Sequence, residues 1–246
     1  MIVAAIFAHD FHGFSHGFST GHSQHQALHE LREQCRKLNL AWIVDAEVSG
    51  FFDTLDWGPL RECIPQRGSE GGIVRLRGTW LHAGVLESGE LTSPDKGAPQ
   101  GGVISPMVSN VCLHHVVDEW FVQDVHPRMQ GRCFVTRFAD DCIIGFELAA
   151  DARRVMEVLP KRFARFRLTI HPEKTVLTEC KRPPGRDQSA GGKGTFDLLG
   201  FTHYWAKTRR GYWVIKRKTV GKRLRRFMKG RGTWCRENRH EPLKEQ

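Results

Sequence analysis

One feature constrains this chain more than any other: two adjacent acids, Asp140 and Asp141, set between the short apolar runs Cys133–Phe138 and Cys142–Phe146. Runs of that length around a tight polar break read as the two strands of a hairpin. Asp is a common turn residue, so the pair taken alone reads as structural. Its context changes the reading. Upstream, Ala41–Val48 reads as a strand, and its Asp45 and Glu47 share one face because a strand repeats every two residues. If that strand lies beside the hairpin, three or four carboxylates converge, an oxygen-rich cluster of the kind that suits Mg²⁺. Two such ions about 4 Å apart would activate a 3′-hydroxyl and stabilise a leaving pyrophosphate in an in-line displacement.

The rest of the pattern is α+β. Apolar residues recur at helical spacing in Gly71–Leu86, Ser105–Val122 and Ala149–Phe166. Phe196–Phe201 and Gly211–Ile215 read as strands, Arg182–Gly194 as a loop, and Thr219–Arg239 as a basic helix interrupted near Gly230 and Gly232. Met1–Ala8 reads as the remnant of a buried helix rather than a signal peptide. A small, mainly antiparallel sheet with helices on one side is expected.

The formal charge of +10 is unevenly spread. From Trp205 to Gln246 there are 15 Lys or Arg against 3 Asp or Glu, so this end holds all the excess. Trp205, Tyr212, Trp213, Phe227 and Trp234 are interleaved with those cations, which is an electrostatic footprint for nucleic acid. A merely solubilising tail is the plainer alternative on charge alone. The seven cysteines are scattered, odd in number and never paired as C-x-x-C, so a reducing, cytoplasmic setting is expected rather than a disulfide framework or zinc site. His9, His12, His16, His22, His25 and His29 crowd the N-terminal region, but no acid or cysteine there completes a metal set. No apolar run is long enough to span a bilayer, and no membrane partner is expected.

Between strand and hairpin lies Gly97-Ala98-Pro99-Gln100-Gly101-Gly102-Val103-Ile104-Ser105-Pro106, whose small residues allow close approach of backbone to a bulky ligand. In this order, that loop, Gly-Phe-Phe-Asp-Thr-Leu-Asp (50–56) and Phe-Ala-Asp-Asp (138–141) resemble motifs of bacterial group II intron reverse transcriptases, or maturases. The resemblance continues through Leu-Thr-Ile-His-Pro-Glu-Lys-Thr (168–175), the run 196–205 and Lys-Arg-Lys-Thr (216–219). Phe14–Leu28 is similar to the family's Ser-Tyr-Gly-Phe-Arg-Pro-Gly-Arg-Ser segment.

The resemblance implies RNA-directed DNA polymerisation on a right-hand polymerase fold: partial fingers over 1–40, palm over 41–204 and the start of a helical thumb over 205–246. By the same resemblance, Asp140 and Asp141 match the hairpin metal site and Glu47 the position of the first-motif metal ligand. Lys174 matches a lysine that protonates pyrophosphate or holds the triphosphate. Phe52 matches the aromatic that crowds the sugar 2′ position, and Gln100 and Gly101 lie where the family meets the incoming nucleotide. Phe196–Phe201 matches the primer grip, and Lys216, Arg217, Lys218, Arg223 and Arg226 would contact nucleic acid. The implied partners are an intron RNA template, a DNA primer or target and a deoxynucleoside triphosphate, with Mg²⁺ as cofactor.

Three departures stand beside the match. The family has Asp where this chain has Glu47, which leaves Asp45 as an alternative ligand if the strand shifts. Gly17–His22 lacks both of the usual arginines. The chain is expected to begin inside the fingers and end within the thumb. A chain that binds RNA without catalysing is therefore the second reading, and a retron or RNA replicase palm the third.

Overall fold

The computed structural model describes residues 9–19, 21–38, 40–54, 58, 85–87, 90–92, 105–183 and 194–240. In chain order the elements are helix α1 (Gln24–Leu38), strand β1 (Trp42–Ala46), a short helix α2 (Phe51–Thr54), a hairpin of β2 (Val85–Glu87) and β3 (Glu90–Thr92), and helix α3 (Ser105–Leu113). There follow β4 (Cys133–Phe138), β5 (Asp141–Phe146), α4 (Ala149–Ala164), β6 (Val176–Glu179), β7 (Phe196–Leu198), β8 (Phe201–Lys207), β9 (Trp213–Thr219) and α5 (Gly221–Asn238). Helix α3 runs on as π-helical turns over His114–Glu119 and Phe121–Val125.

The central sheet has the order β4-β5-β1-β6, and its paired strands are antiparallel. Both its faces are covered, whereas helices on one side only were expected. Val44, Ala46, Val135, Cys142 and Ile144 point to a core shared with α3, its π-helical extension and α4. Their neighbours Ile43, Phe134 and Ile143 point to a second core, with Leu28, Leu31 and Cys35 of α1 and with Phe196, Trp205 and Ile215. The physical reason is visible in β5: Cys-Ile-Ile-Gly-Phe is apolar at every position, and such a strand needs cover on both faces. The second cover is partly a sheet of order β7-β8-β9.

Other expectations meet finer corrections. Phe196–Phe201 is not one strand. Leu199 and Gly200 both have positive φ and turn the chain from β7 into β8. The Gly211–Ile215 strand starts later and runs further, to Thr219. Helix α5 passes through Gly230 and Gly232 without a break, and none of its residues is buried. Strand β8 crosses the expected palm–thumb division at 204/205, and the exposed basic helix begins only at Gly221. The Gly71–Leu86 helix lies outside the described residues except at its end, where Val85 and Leu86 belong to β2. Met1–Ala8 and most of the Arg182–Gly194 loop also lie outside them.

One buried side chain ties these layers to the N-terminal segment. Arg137, on β4, is fully buried, and all five of its guanidinium N–H groups find acceptors. Nε and Nη2 donate to the two Asp118 oxygens at 2.7 and 2.6 Å, and Nη2 also to Ser15 Oγ at 2.5 Å. Nη1 donates to Asn110 Oδ1 at 2.7 Å and to the Ala139 carbonyl at 3.1 Å. Burial pushes the Asp118 pKa up, but the charge and hydrogen bonds of Arg137 outweigh it and hold the carboxyl below its ordinary value. The segment at Ser15 docks alongside β4: His16 N–H donates to the Arg137 carbonyl at 2.8 Å, and Arg137 N–H to the Phe14 carbonyl at 3.0 Å.

Removing one partner of a buried pair strands the other, at a cost of about 3–5 kcal/mol. Arg137→Met is expected to lower stability by that order in urea denaturation; a loss below about 1 kcal/mol would remove Arg137 from this role. The Asp118 contribution is present above the unfolded carboxyl pKa of about 4 and is lost as pH falls through its depressed folded value.

Candidate active site

The hairpin of β4 and β5 pairs Phe138 with Asp141, so only Ala139 and Asp140 form the turn. Ala139 has φ +55°, a left-handed conformation that costs a non-glycine residue about 1–2 kcal/mol. Two contacts hold it there. Arg137 Nη1 donates to its carbonyl, and Gly17 packs against its backbone so closely that a Cβ at Gly17 would lie 2.1 Å from Ala139 N. The N-terminal segment therefore braces the turn that presents Asp140.

Strand β1 lies beside β5, with Ala46 opposite Cys142. Continued by one residue, that register sets Glu47 opposite Asp141. The backbone of Glu47 is fixed by the turn after Ile170: His171 N–H donates to the Glu47 carbonyl at 2.9 Å, and Glu47 N–H to Thr175 Oγ1 at 3.3 Å. The same turn carries Lys174, whose ammonium forms an ion pair with the Glu47 carboxylate.

These elements enclose a cleft of about 770 Å³. Its lining includes Glu47, Asp140, Asp141 and Lys174, and also Lys222, Arg223 and Arg226 of α5. Arg223 lies over Gly200, where a Cβ would sit 1.9 Å from its Nη1. Asp45 is not among the lining residues. Burial, then the charges of Asp141, Glu47 and Asp197, push its pKa up to about 7. Burial likewise raises Asp141 to about 6, helped by Asp140 and Glu47 and opposed by Lys174. Asp140 is raised too, by burial first, against its own backbone hydrogen bond. Lys174 is raised, chiefly by its hydrogen bond to Glu47.

The cleft thus sets three carboxylates among four cations, and the hard oxygen donors of Glu47, Asp140 and Asp141 suit a divalent cation such as Mg²⁺. Glu47 is turned toward Lys174, however. Among the described residues, the set whose ligand atoms approach within 4.8 Å of one another is His12, His114 and Glu119, not the three cleft carboxylates.

The other expected residues are placed unevenly. Phe52 lies on α2, and Gln100 and Gly101 fall outside the described residues. Lys216, Arg217 and Lys218 are exposed on β9, away from the cleft. Arg217 stacks over Phe201 and Lys218 over Tyr204, at 5.5 and 5.4 Å from the ring centroids. Four residues that organise the site were not anticipated: Ser15, Asn110, Asp118 and Arg137. The signal was a charged residue, Arg137, inside a largely apolar strand run, Cys-Phe-Val-Thr-Arg-Phe, which demands a buried acid.

A two-sided antiparallel sheet carrying carboxylates on a hairpin and on the neighbouring strand is the palm of a polymerase. Residues 1–203 match the model of the family described as reverse transcriptase (RNA-dependent DNA polymerase), and the chain belongs to that family. It is 31% identical over 131 residues to Escherichia coli protein YkfC, covering 52% of this chain and 33% of YkfC. It is 32% identical over 82 residues to the group II intron-encoded protein LtrA of Lactococcus lactis, covering 33% of this chain and 14% of LtrA. These matches span a third or less of each relative's length. Among solved structures, apo telomerase of Candida tropicalis superposes with a TM-score of 0.60 at 13% identity, over 89% of this chain and 44% of the telomerase. That likeness is one of fold.

Between about pH 4 and 7 the folded chain binds more protons at Asp45 and Asp141 than the unfolded chain does, so stability should fall as pH rises through that window. Thermal melts in a chelator should show the fall, and Asp45→Asn should flatten it. An unchanged profile in Asp45→Asn would mean that Asp45 is not held protonated.

Proposed function

We propose that this chain is the catalytic palm of a group II intron-type reverse transcriptase, extending a DNA primer along an RNA template with deoxynucleoside triphosphates. One observation carries the reading: a single cleft is lined by Glu47, Asp140 and Asp141 together with the cations of α5. Glu47, Asp140 and Asp141 are the residues that would hold Mg²⁺, which when bound supplies charge neutralisation for an in-line displacement at a phosphoryl group. Lys174 Nζ, released from Glu47, would neutralise or protonate a departing phosphate oxygen. Lys222, Arg223 and Arg226 would grip the phosphate backbone, and Lys216, Arg217 and Lys218 would extend that contact beyond the cleft. The buried free thiols fit a reducing, cytoplasmic setting.

A second reading, RNA binding without catalysis, rests on the Glu47–Lys174 ion pair, which keeps the Glu47 carboxylate occupied. Two readouts separate the readings. Mn²⁺ binding followed by electron paramagnetic resonance reports the metal site alone. Primer extension, in a chain joined to the fingers and thumb of a related reverse transcriptase, reports the chemistry. Asp140→Asn should weaken the first and abolish the second, because an amide keeps the shape but not the charge. Glu47→Asp should raise extension, since a placement error of about 1 Å costs on the order of 100-fold. Asp45→Ala should matter less than Glu47→Ala. Mn²⁺ binding untouched by Asp140→Asn would reject the metal assignment; intact binding without extension would favour the second reading.

RNA affinity should also depend steeply on salt. Alanine at Lys222, Arg223 and Arg226 together should reduce the slope of log affinity against log salt by about 2–3. Filter binding at several salt concentrations tests this, and an unaltered slope would place the RNA elsewhere.

A further inference from the structure

We propose a second metal centre, separate from the carboxylate cleft: a zinc-type site formed by His12, His114 and Glu119. No spacing in the histidine-rich N-terminal region marks an acid that completes a ligand set with His12, but the fold brings one from residue 119. His12 Nε2 lies 3.0 Å and His114 Nε2 3.4 Å from the same oxygen, Glu119 Oε1. In a tetrahedral site with bonds of 2.0–2.1 Å, ligand atoms are about 3.3 Å apart, so these spacings already suit a bound ion.

Two independent observations point the same way. The first is the backbone. His114 and Glu119 are five residues apart, and in an α-helix such positions diverge by about 140°. The chain from His114 to Glu119 is π-helical, and a π-helix bonds residues five apart and so stacks them on one face. The helical irregularity is what aligns the two donors.

The second is the outer ring nitrogen of His114. That side chain is buried, and its Nδ1 makes no close hydrogen bond: Asp118 Oδ2 faces it at 3.5 Å, and His114 helps to lower the Asp118 pKa. A metal at Nε2 fixes the proton on Nδ1 and aims it at that carboxylate, the histidine–carboxylate arrangement common around zinc. Aromatic rings wall the site: Phe14 stacks on His12 with centroids 5.1 Å apart, and Phe11 meets His114 edge-on at 5.5 Å.

Two imidazoles and one carboxylate select zinc-like ions, whereas the all-oxygen cleft selects Mg²⁺. The site joins the N-terminal segment to the helix that carries Asp118. Its occupancy would therefore tighten the docking of the same segment that braces the Ala139–Asp140 turn.

The test uses the tag-free 246-residue chain with Cys235→Ser, which removes an exposed thiol. Titration with Co²⁺ should give one tight equivalent with tetrahedral absorption bands, displaced by Zn²⁺, and Zn²⁺ should raise the melting temperature. His12→Ala removes a partly exposed side chain, and Glu119→Gln keeps the shape. Each should weaken Co²⁺ binding by more than the roughly 10–100-fold that outer partners of a metal site command, with the circular dichroism spectrum unchanged. Asp140→Asn and His22→Ala should leave the equivalent intact. The proposal is overturned if the parent chain takes up no tight equivalent, or if His12→Ala and Glu119→Gln bind Co²⁺ as the parent does.

Discussion

The fold turns on the guanidinium of Arg137. It sits with no solvent contact between the central sheet and the helical layer, and it joins Ser15, Asn110, Asp118 and Ala139. Burying a charge is unfavourable unless every hydrogen-bonding group finds a partner, and here every donor does. The network reaches further than one ion pair, because it links three stretches of chain that are distant in sequence. It also supports a carbonyl in the strained turn before Asp140, so the position of a site residue rests on a bond that never touches solvent.

Around that anchor the cleft mixes both signs of charge. Burial raises the pKa of Asp140 and Asp141 in its lining, helped by neighbouring carboxylates. The residues that α5 adds to the same lining, Lys222, Arg223 and Arg226, are cationic. A polyanion entering such a space is attracted by the cations and repelled by the carboxylates unless a further cation intervenes. On the proposed reading, metal and nucleic acid would support each other's binding, since each removes the penalty that the other meets. Lys174 spends its charge on Glu47.

Much of this was legible in the sequence. The Asp140–Asp141 hairpin, the acidic strand and α4 were readable because period-two and helical patterns are strong in those segments. The basic C-terminal helix was also readable, but not its continuity, since Gly230 and Gly232 weaken a helix without ending it. The second cover of the sheet was missed because an all-apolar strand does not say what lies on its far face. Split strands β7 and β8 hid behind Leu199, a residue that rarely takes positive φ. The partners of Arg137 could not be read at all: Ser15 is 122 residues away, and nothing local marks it. The same limit applied to Glu119, whose link to His12 spans 107 residues.

The sheet's topology has a kinetic side. Strands β4 and β5 are consecutive and can close their turn as a local event. Strand β1 comes far earlier in the chain, and its partners β5 and β6 are both synthesised later. During synthesis β1 therefore waits, with Trp42, Ile43 and Val44 lacking their neighbours, until the hairpin emerges. Non-local pairing of this kind carries a loop-closure cost that slows folding. The hairpin is thus a template that the earlier strand joins. Asp140 and Asp141 come together first, Glu47 joins when β1 docks, and a chain halted between those steps would hold two of its three acids in place while exposing an adhesive strand edge.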